Sequence, residues 1–172
     1  SMGGKLAMLI TLLRPNYINK LIIADIAPIN YINDNQNIID ALLNLDLTLV
    51  RNRNHADELL SNEIEQKFLR SFLLQNIKLS DGKYKWSINL TSIKNAMNNL
   101  RSFPKIDKNN KVDTKSLCIY GQKSDYVNED HFQIFKNYFS NILFHKIKNA
   151  GHFLHIENPD EFYEVSKNFF KD

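Results

Sequence analysis

Three short, mainly apolar runs that read as strands, Leu21-Ile22-Ile23-Ala24, Leu117-Cys118-Ile119-Tyr120 and Ile142 to Ile147 (the last interrupted by His145-Lys146), most constrain what this chain can fold into. The first has no polar alternation and suits a strand buried on both faces, the state of strands in a parallel sheet. Helical periods surround the runs. Leu6, Leu9, Ile10 and Leu13 fall on one face of a helix over Gly3 to Leu13. Arg14-Pro15-Asn16 ends it, because proline disfavours helix at the residue before it. Glu129 to Phe139 reads as a helix between the second and third runs, and Pro159 to Phe170 as a closing one. Strands separated by helices predict an α/β layer fold with a parallel sheet.

The middle of the chain breaks this alternation. From Asn30 to about Asp113 the pattern is helical with no convincing strand. Ile38, Ile39, Leu42, Leu43 and Leu45 form one amphipathic face, Ala56, Leu59 and Leu60 a second, and Phe68, Leu69, Phe72 and Leu73 a third. Ser80-Asp81-Gly82-Lys83 reads as a turn, and Trp86 to Leu90 as a short extended piece. Thr91 to Leu100 is a further helix, begun by a Thr or Ser cap, and Asn109-Asn110-Lys111 is a solvated connection. The expected organisation is a core of residues 1–30 and 114–172 with a helical insertion over 31–113. Three strands are few for a parallel sheet, so a truncated sheet is expected, with helices on both faces and strands missing upstream.

Composition removes several classes of function. A chain of 172 residues, 43% hydrophobic and 24% charged, has the make-up of one globular domain. Its net charge of +3 is small and scattered, with no Lys/Arg stripe bearing interleaved aromatics, so nucleic acid is not an expected partner. The mainly apolar stretch from Ala7 to Leu13, broken by Thr11, is too short to span a bilayer. Cys118 is the single cysteine; it can form neither an internal disulfide nor a metal site by itself, which fits a reducing, intracellular setting. No secretory leader is visible. Neither a metal nor an organic cofactor is expected.

In an open parallel sheet, chemistry gathers at the carboxyl ends of the strands. Here those ends offer Asp25, the Gly121 to Val127 loop, and Ala150-Gly151-His152. A fourth candidate is Ser1-Met2-Gly3-Gly4, which leads directly into a helix. A serine on a sharp strand-to-helix turn followed by glycines is the second half of the G-x-S-x-G elbow, although Ser-Met at a chain start also matches a cloning scar. The order Ser, Asp, His is the one used on α/β-hydrolase scaffolds. His152 has a competitor three residues on, His155; His55, His131 and His145 read as surface or core residues.

These residues resemble the YbfF-type α/β-hydrolases, the bacterial esterase and mitochondrial α/β-hydrolase-domain group. The resemblance rests on Ser1-Met2-Gly3-Gly4-Lys5-Leu6-Ala7-Met8, Leu21 to Pro28 with its Asp25-Ile26-Ala27-Pro28, Phe72 to Asn76 and Trp86 to Leu90. It continues through Gly121 to Val127 with its Ser124-Asp125-Tyr126-Val127, and through Ala150 to His155. It implies the α/β-hydrolase fold with a helical cap over 31–113, Ser1 as nucleophile and His152 as general base. Phe153 stands where this group commonly has tryptophan.

Most α/β-hydrolases carry the triad acid in the loop after the penultimate strand, where this chain has Ser124 with Asp125 beside it. In this group the carboxylate can come instead from the earlier strand end, which is Asp25. Asp25 is preferred here as the acid, with Ser124 or Asp125 as support or alternative. Met2 would supply one oxyanion donor. The second donor normally comes from an upstream His-Gly-type loop, absent from this sequence, so the chain is expected to be a fragment that is inactive alone. An unpaired sheet edge would favour a homo-oligomer or pairing with a missing N-terminal portion. The expected activity is serine-dependent cleavage of a small acyl ester or thioester, with the cap selecting the acyl group; Phe68, Phe72, Leu73 and Trp86 are candidates for the acyl wall. A non-catalytic hydrolase-like binding protein is the alternative.

Overall fold

In the computed structural model, which describes residues 1–32, 36–106 and 111–171, the three apolar runs become one parallel sheet. Along the chain the first unit opens with helix α1 (Met2–Leu13) and strand β1 (Lys20–Ala24). Helices α2 (Gln36–Asn44), α3 (Arg53–Leu60) and α4 (Lys67–Leu73) follow, then strands β2 (Ile77–Ser80) and β3 (Lys83–Trp86) and helix α5 (Leu90–Arg101). The chain then returns with β4 (Lys115–Gly121), α6 (Phe132–Tyr138), β5 (Ile142–Ile147), a short α7 (Leu154–Glu157) and α8 (Pro159–Lys171). Two compact units result: Ser1–Asn30 with Ser102–Asp172, and Tyr31–Arg101. The division falls after Arg101, so the stretch from Ser102, grouped by sequence with the helical block, sits with the first unit. Phe103 is buried there, tilted against Tyr138 at 5.9 Å.

The sheet of the first unit runs β1-β4-β5, with Ile22 opposite Leu117 and Leu117 opposite Leu143. Its central strand β4 is buried at every position from Ser116 to Gly121, as a strand covered on both faces must be. Leu117, Ile119 and Ile147 form one core with Ala150, Leu154 and Phe169, and Ile22, Phe162 and Val165 pack against it; α8 therefore covers this face. Successive strand residues point to opposite faces, so Ile23 points the other way. There it lies near α1: a Cβ placed on Gly4 would come within 3.8 Å of Ile23 and 2.5 Å of Ile26. Helices thus lie on both faces, as expected.

The face that α1 buries is not the one its leucines suggest. Lys5, Met8, Thr11 and Leu12 are buried, whereas Leu6, Ile10 and Leu13 are 41–56% exposed. Two features make the polar members of that stripe tolerable. The Thr11 hydroxyl donates to the Ala7 carbonyl at 2.8 Å, and Lys5 Nζ donates to the Ser102 carbonyl at 3.1 Å. Burial pushes the Lys5 pKa down to about 8.

The Tyr31–Arg101 unit has its own core of Ala41, Leu42, Val50, Ala56, Leu60, Ile64, Leu74, Ile77 and Leu90. Arg70 ties α3 to α4: its Nε and Nη2 donate to the two oxygens of Asp57 at 2.9 and 3.1 Å, and its Nη1 donates to the Ile64 and Glu65 carbonyls. This guanidinium holds the Asp57 carboxyl below its ordinary pKa. The unit is not free of strands, contrary to the sequence reading. β2 and β3 pair antiparallel around Asp81-Gly82, both with positive φ (52° and 72°), as a two-residue hairpin turn requires. The turn was legible but the strands were not, because β2 buries Ile77 alone. Helix α5 is capped by Asn89, whose side chain accepts from the Ser92 N–H at 2.9 Å, in place of the expected Thr or Ser. The connection expected at Asn109-Asn110 lies outside the described residues.

Candidate active site

The carboxyl ends of all three parallel strands contribute to one polar cluster. β1 delivers Asp25, which is fully buried and held at φ 48°. Left-handed backbone is uncommon for a residue other than glycine, and aspartate is among the side chains that tolerate it. The turn sends the Asp25 N–H to the Ile119 carbonyl at 2.8 Å and the carboxylate across the end of β4. Its Oδ1 accepts from the Gly121 N–H at 3.1 Å, and its Oδ2 accepts from the Ser124 hydroxyl and faces His152 Nδ1 at 2.8 Å. An ionised carboxylate only accepts, so Nδ1 carries the proton and Nε2 is left as the free basic nitrogen.

β4 supplies Gly121 and the loop behind it. A Cβ at Gly121 would lie 2.3 Å from the Gly151 carbonyl oxygen and 2.6 Å from that of Ala150, so only glycine allows the two strand ends to approach. Lys123 N–H donates to the Ala150 carbonyl at 2.8 Å and Gln122 N–H to the Ile147 carbonyl at 3.0 Å, which stitches the β4 loop to the β5 loop. Ser124 Oγ also accepts from the Tyr126 N–H at 3.1 Å, orienting its own proton toward Asp25. Asp125 is exposed and makes no hydrogen bond or ion pair among the described residues.

β5 leads into Ala150-Gly151-His152. The imidazole is stacked on the Tyr126 ring, centroids 3.9 Å apart and planes at 21°, with Phe153 edge-on at 5.7 Å. Tyr126 belongs to the Ser124-to-Val127 motif but has no role assigned to it from the sequence, since its stacking partner comes from another loop. His155 is exposed and lies beside Phe162, away from Asp25. His145 pairs with Glu161 at 3.0 Å, and His55 and His131 accept local backbone N–H groups.

Ser1 is the N-cap of α1, exposed, and its side chain makes no bond to the helix. Among the described residues it forms no hydrogen bond to His152. Met2 opens α1, and the N–H groups of the first helical turn have no intrahelical acceptor until Lys5 N–H meets the Ser1 carbonyl. Those orphan donors and the positive end of the helix favour a developing negative charge near Ser1.

Buried Cys118 has its thiol pKa pushed well up, first by desolvation and then by the Asp25 charge, so it is no nucleophile. Among the described residues, no three His, Cys, Asp or Glu side chains are grouped to hold a metal ion, and no helix is long and apolar enough to cross a membrane. In the Tyr31–Arg101 unit, Leu73 and Trp86 pack against the core, while Phe68 and Phe72 are 47% and 44% exposed on α4.

Residues 1–159 match the family model described as alpha/beta hydrolase fold. The chain is 30% identical over 168 residues to a zebrafish (Danio rerio) protein named sn-1-specific diacylglycerol lipase ABHD11, covering 94% of this chain and 52% of that one. It is 28% identical to esterase YbfF of Escherichia coli, covering 100% of this chain and 65% of the relative. The solved structure of a marine microorganism esterase superposes with a TM-score of 0.90 at 34% identity, over 98% of this chain and 67% of that one. The chain thus spans about half the length of the zebrafish relative and about two thirds of the other two.

Proposed function

Because this chain belongs to the α/β-hydrolase family, we propose that it carries the acid, base and nucleophile of a serine hydrolase that cleaves carboxylic esters or thioesters through an acyl-enzyme. The observation that carries the reading is the 2.8 Å contact between a fully buried Asp25 carboxylate and His152 Nδ1. A buried charge is costly unless hydrogen-bonded, and this one has three donors aimed at it. Relatives of the chain named as esterases and lipases support the same class of reaction.

In the proposed mechanism His152 Nε2 takes the proton from Ser1 Oγ as the oxygen attacks the acyl carbonyl, and Asp25 stabilises the imidazolium that forms. The first-turn N–H groups of α1, that of Met2 among them, face the oxyanion. His152 then returns its proton to the departing alcohol or thiol, and a water activated in the same way releases the acid. Apo-state catalytic hydrogen bonds are commonly long and tighten with substrate, in keeping with a Ser1 hydroxyl not yet joined to His152. Ser124 supports the acid by donating to Asp25. The Tyr31–Arg101 unit is assigned the recognition of the acyl group, with Phe68 and Phe72 as its exposed apolar surface.

The test is intact-mass analysis of the longest gene product containing this sequence, with and without a fluorophosphonate probe. A single adduct on Ser1 is expected, reduced at least about 10³-fold in labelling rate by His152→Ala. A folded protein that stays unlabelled would overturn the mechanism and leave a hydrolase-like binding protein.

A further inference from the structure

We propose that Glu157 is a positioning residue for the His152 base. The inference rests on the reading of His152 as general base and adds a residue that neither spacing nor motif had marked. Glu157 is the last residue of α7, and its carboxylate folds back over the loop that carries the histidine. Oε2 accepts from the Gly151 N–H at 2.8 Å and Oε1 from the Phe153 N–H at 3.1 Å. One carboxylate therefore brackets His152 by holding the backbone on both of its sides. Charged acceptors make the stronger class of hydrogen bond, and a two-point attachment also fixes direction.

Gly151 is part of the device. A Cβ there would lie 3.1 and 3.3 Å from the two Glu157 oxygens, tighter than ordinary packing, so glycine gives the carboxylate its room. The bracket complements what the side chain itself receives. Asp25 fixes the ring through Nδ1 and Tyr126 covers one face, but neither limits sliding of the backbone that presents the ring. Glu157 touches neither the reacting atoms nor the ring; it acts through the peptide groups flanking His152.

The experiment compares wild type, Glu157→Gln and Glu157→Ala in steady-state hydrolysis of a p-nitrophenyl acyl ester, with hydrogen exchange of the Gly151 and Phe153 amides and of the His152 Nδ1 proton read by NMR. In Glu157→Ala, kcat is expected to fall roughly tenfold to 100-fold, the range that a displacement of about 1 Å produces, with KM within about twofold. Glu157→Gln keeps one oxygen that can still accept, so it should recover part of the rate and slow one of the two amides. Should the alanine variant fail to fold, the glutamine variant alone carries the comparison, with a kcat deficit and faster exchange at one flanking amide expected. A kcat within twofold of wild type, or an unchanged Nδ1 proton beside freed amides, overturns the positioning role. All variants are made in the longest gene product containing this sequence; if its wild type shows no turnover, the esterase reading fails, whereas faster Nδ1 exchange in the variants then still supports Glu157 as the residue that places His152, and unchanged exchange overturns it.

Discussion

Ser124 and Asp125 are neighbours in one loop, yet only the serine reaches Asp25. The loop position that carries the acid in many α/β-hydrolases is here a serine that donates to the carboxylate of Asp25, the proposed acid, from another strand. A hydroxyl that donates to a buried carboxylate is worth about 1.5–3 kcal/mol, roughly a tenfold or greater change in rate if it is expressed in the transition state. Ser124→Ala is therefore expected to lower kcat about tenfold with little change in KM, and Asp125→Ala to stay within about twofold; steady-state kinetics of the two variants check this. A larger loss at Asp125 than at Ser124 would reverse the assignment of Asp25. Asp25 and His152, which the structure brings to 2.8 Å of each other, could be singled out because each follows a strand segment. The Tyr126 contact could not, because that ring meets His152 only after β4 and β5 pair, and Glu157 could not, because its bonds run to backbone N–H groups, which carry no side-chain signal.

Among elements, the strands were the most legible. A strand covered on both faces has no polar side to hide its signal, which is why β4 could be read directly; β1, expected to be buried on both faces, instead alternates buried Leu21 and Ile23 with half-buried Lys20 and Ile22, and was legible because its half-buried face is apolar at Ile22 as well. The face of α1 was misread because its most apolar stripe is exposed while Lys5 and Thr11 sit in the buried one, their polar groups satisfied by backbone carbonyls. Periodicity counts hydrophobicity and has no view of such partners. The hairpin β2–β3 was missed for the opposite reason, too little burial to leave a pattern. The β4–β5 junction gives the sharpest test at this scale. Gly121→Ala must displace backbone carbonyls, and is expected to cost about 3 kcal/mol or more. Gly3→Ala meets nothing within 4 Å and should be neutral or stabilise α1 by up to about 1 kcal/mol. Chemical denaturation of both variants measures the contrast, and equal midpoints would show that the junction relaxes freely.

On the scale of the whole molecule, the two units gain stability with rising pH in different windows, one acid and one alkaline. Asp57, held by Arg70 below its ordinary value of 3.8, contributes stability that is present above the unfolded pKa and lost as pH falls through the folded one. Lys5 acts on the alkaline side, where desolvation costs stability as long as the ammonium is charged. Its pKa falls from 10.5 in the open chain to about 8 in the fold, so the unfolded state binds more protons between those values and stability rises with pH across that window. Thermal melts of wild type against Lys5→Met should show the wild type gaining ground from pH 8 to 10, and Asp57→Asn should flatten the acid limb. Hydrogen exchange is expected to place the acid effect in residues 36–101 and the alkaline one in the sheet unit.

The Tyr31–Arg101 segment begins and ends at adjoining backbone: Tyr31 N–H donates to the Arg101 carbonyl at 3.1 Å, and just outside it Phe103 N–H donates to Asn30 Oδ1 at 2.7 Å. Each side of the junction is closed by its own bond, and Asp25, Ser124, His152 and Glu157 all lie outside the segment. A gene coding for such a chain can lengthen, shorten or exchange that cassette in a single recombination without disturbing the codons of Asp25, Ser124, His152 and Glu157. Under the proposed function, selection for a new substrate and selection for an intact reaction then proceed on separate stretches of DNA.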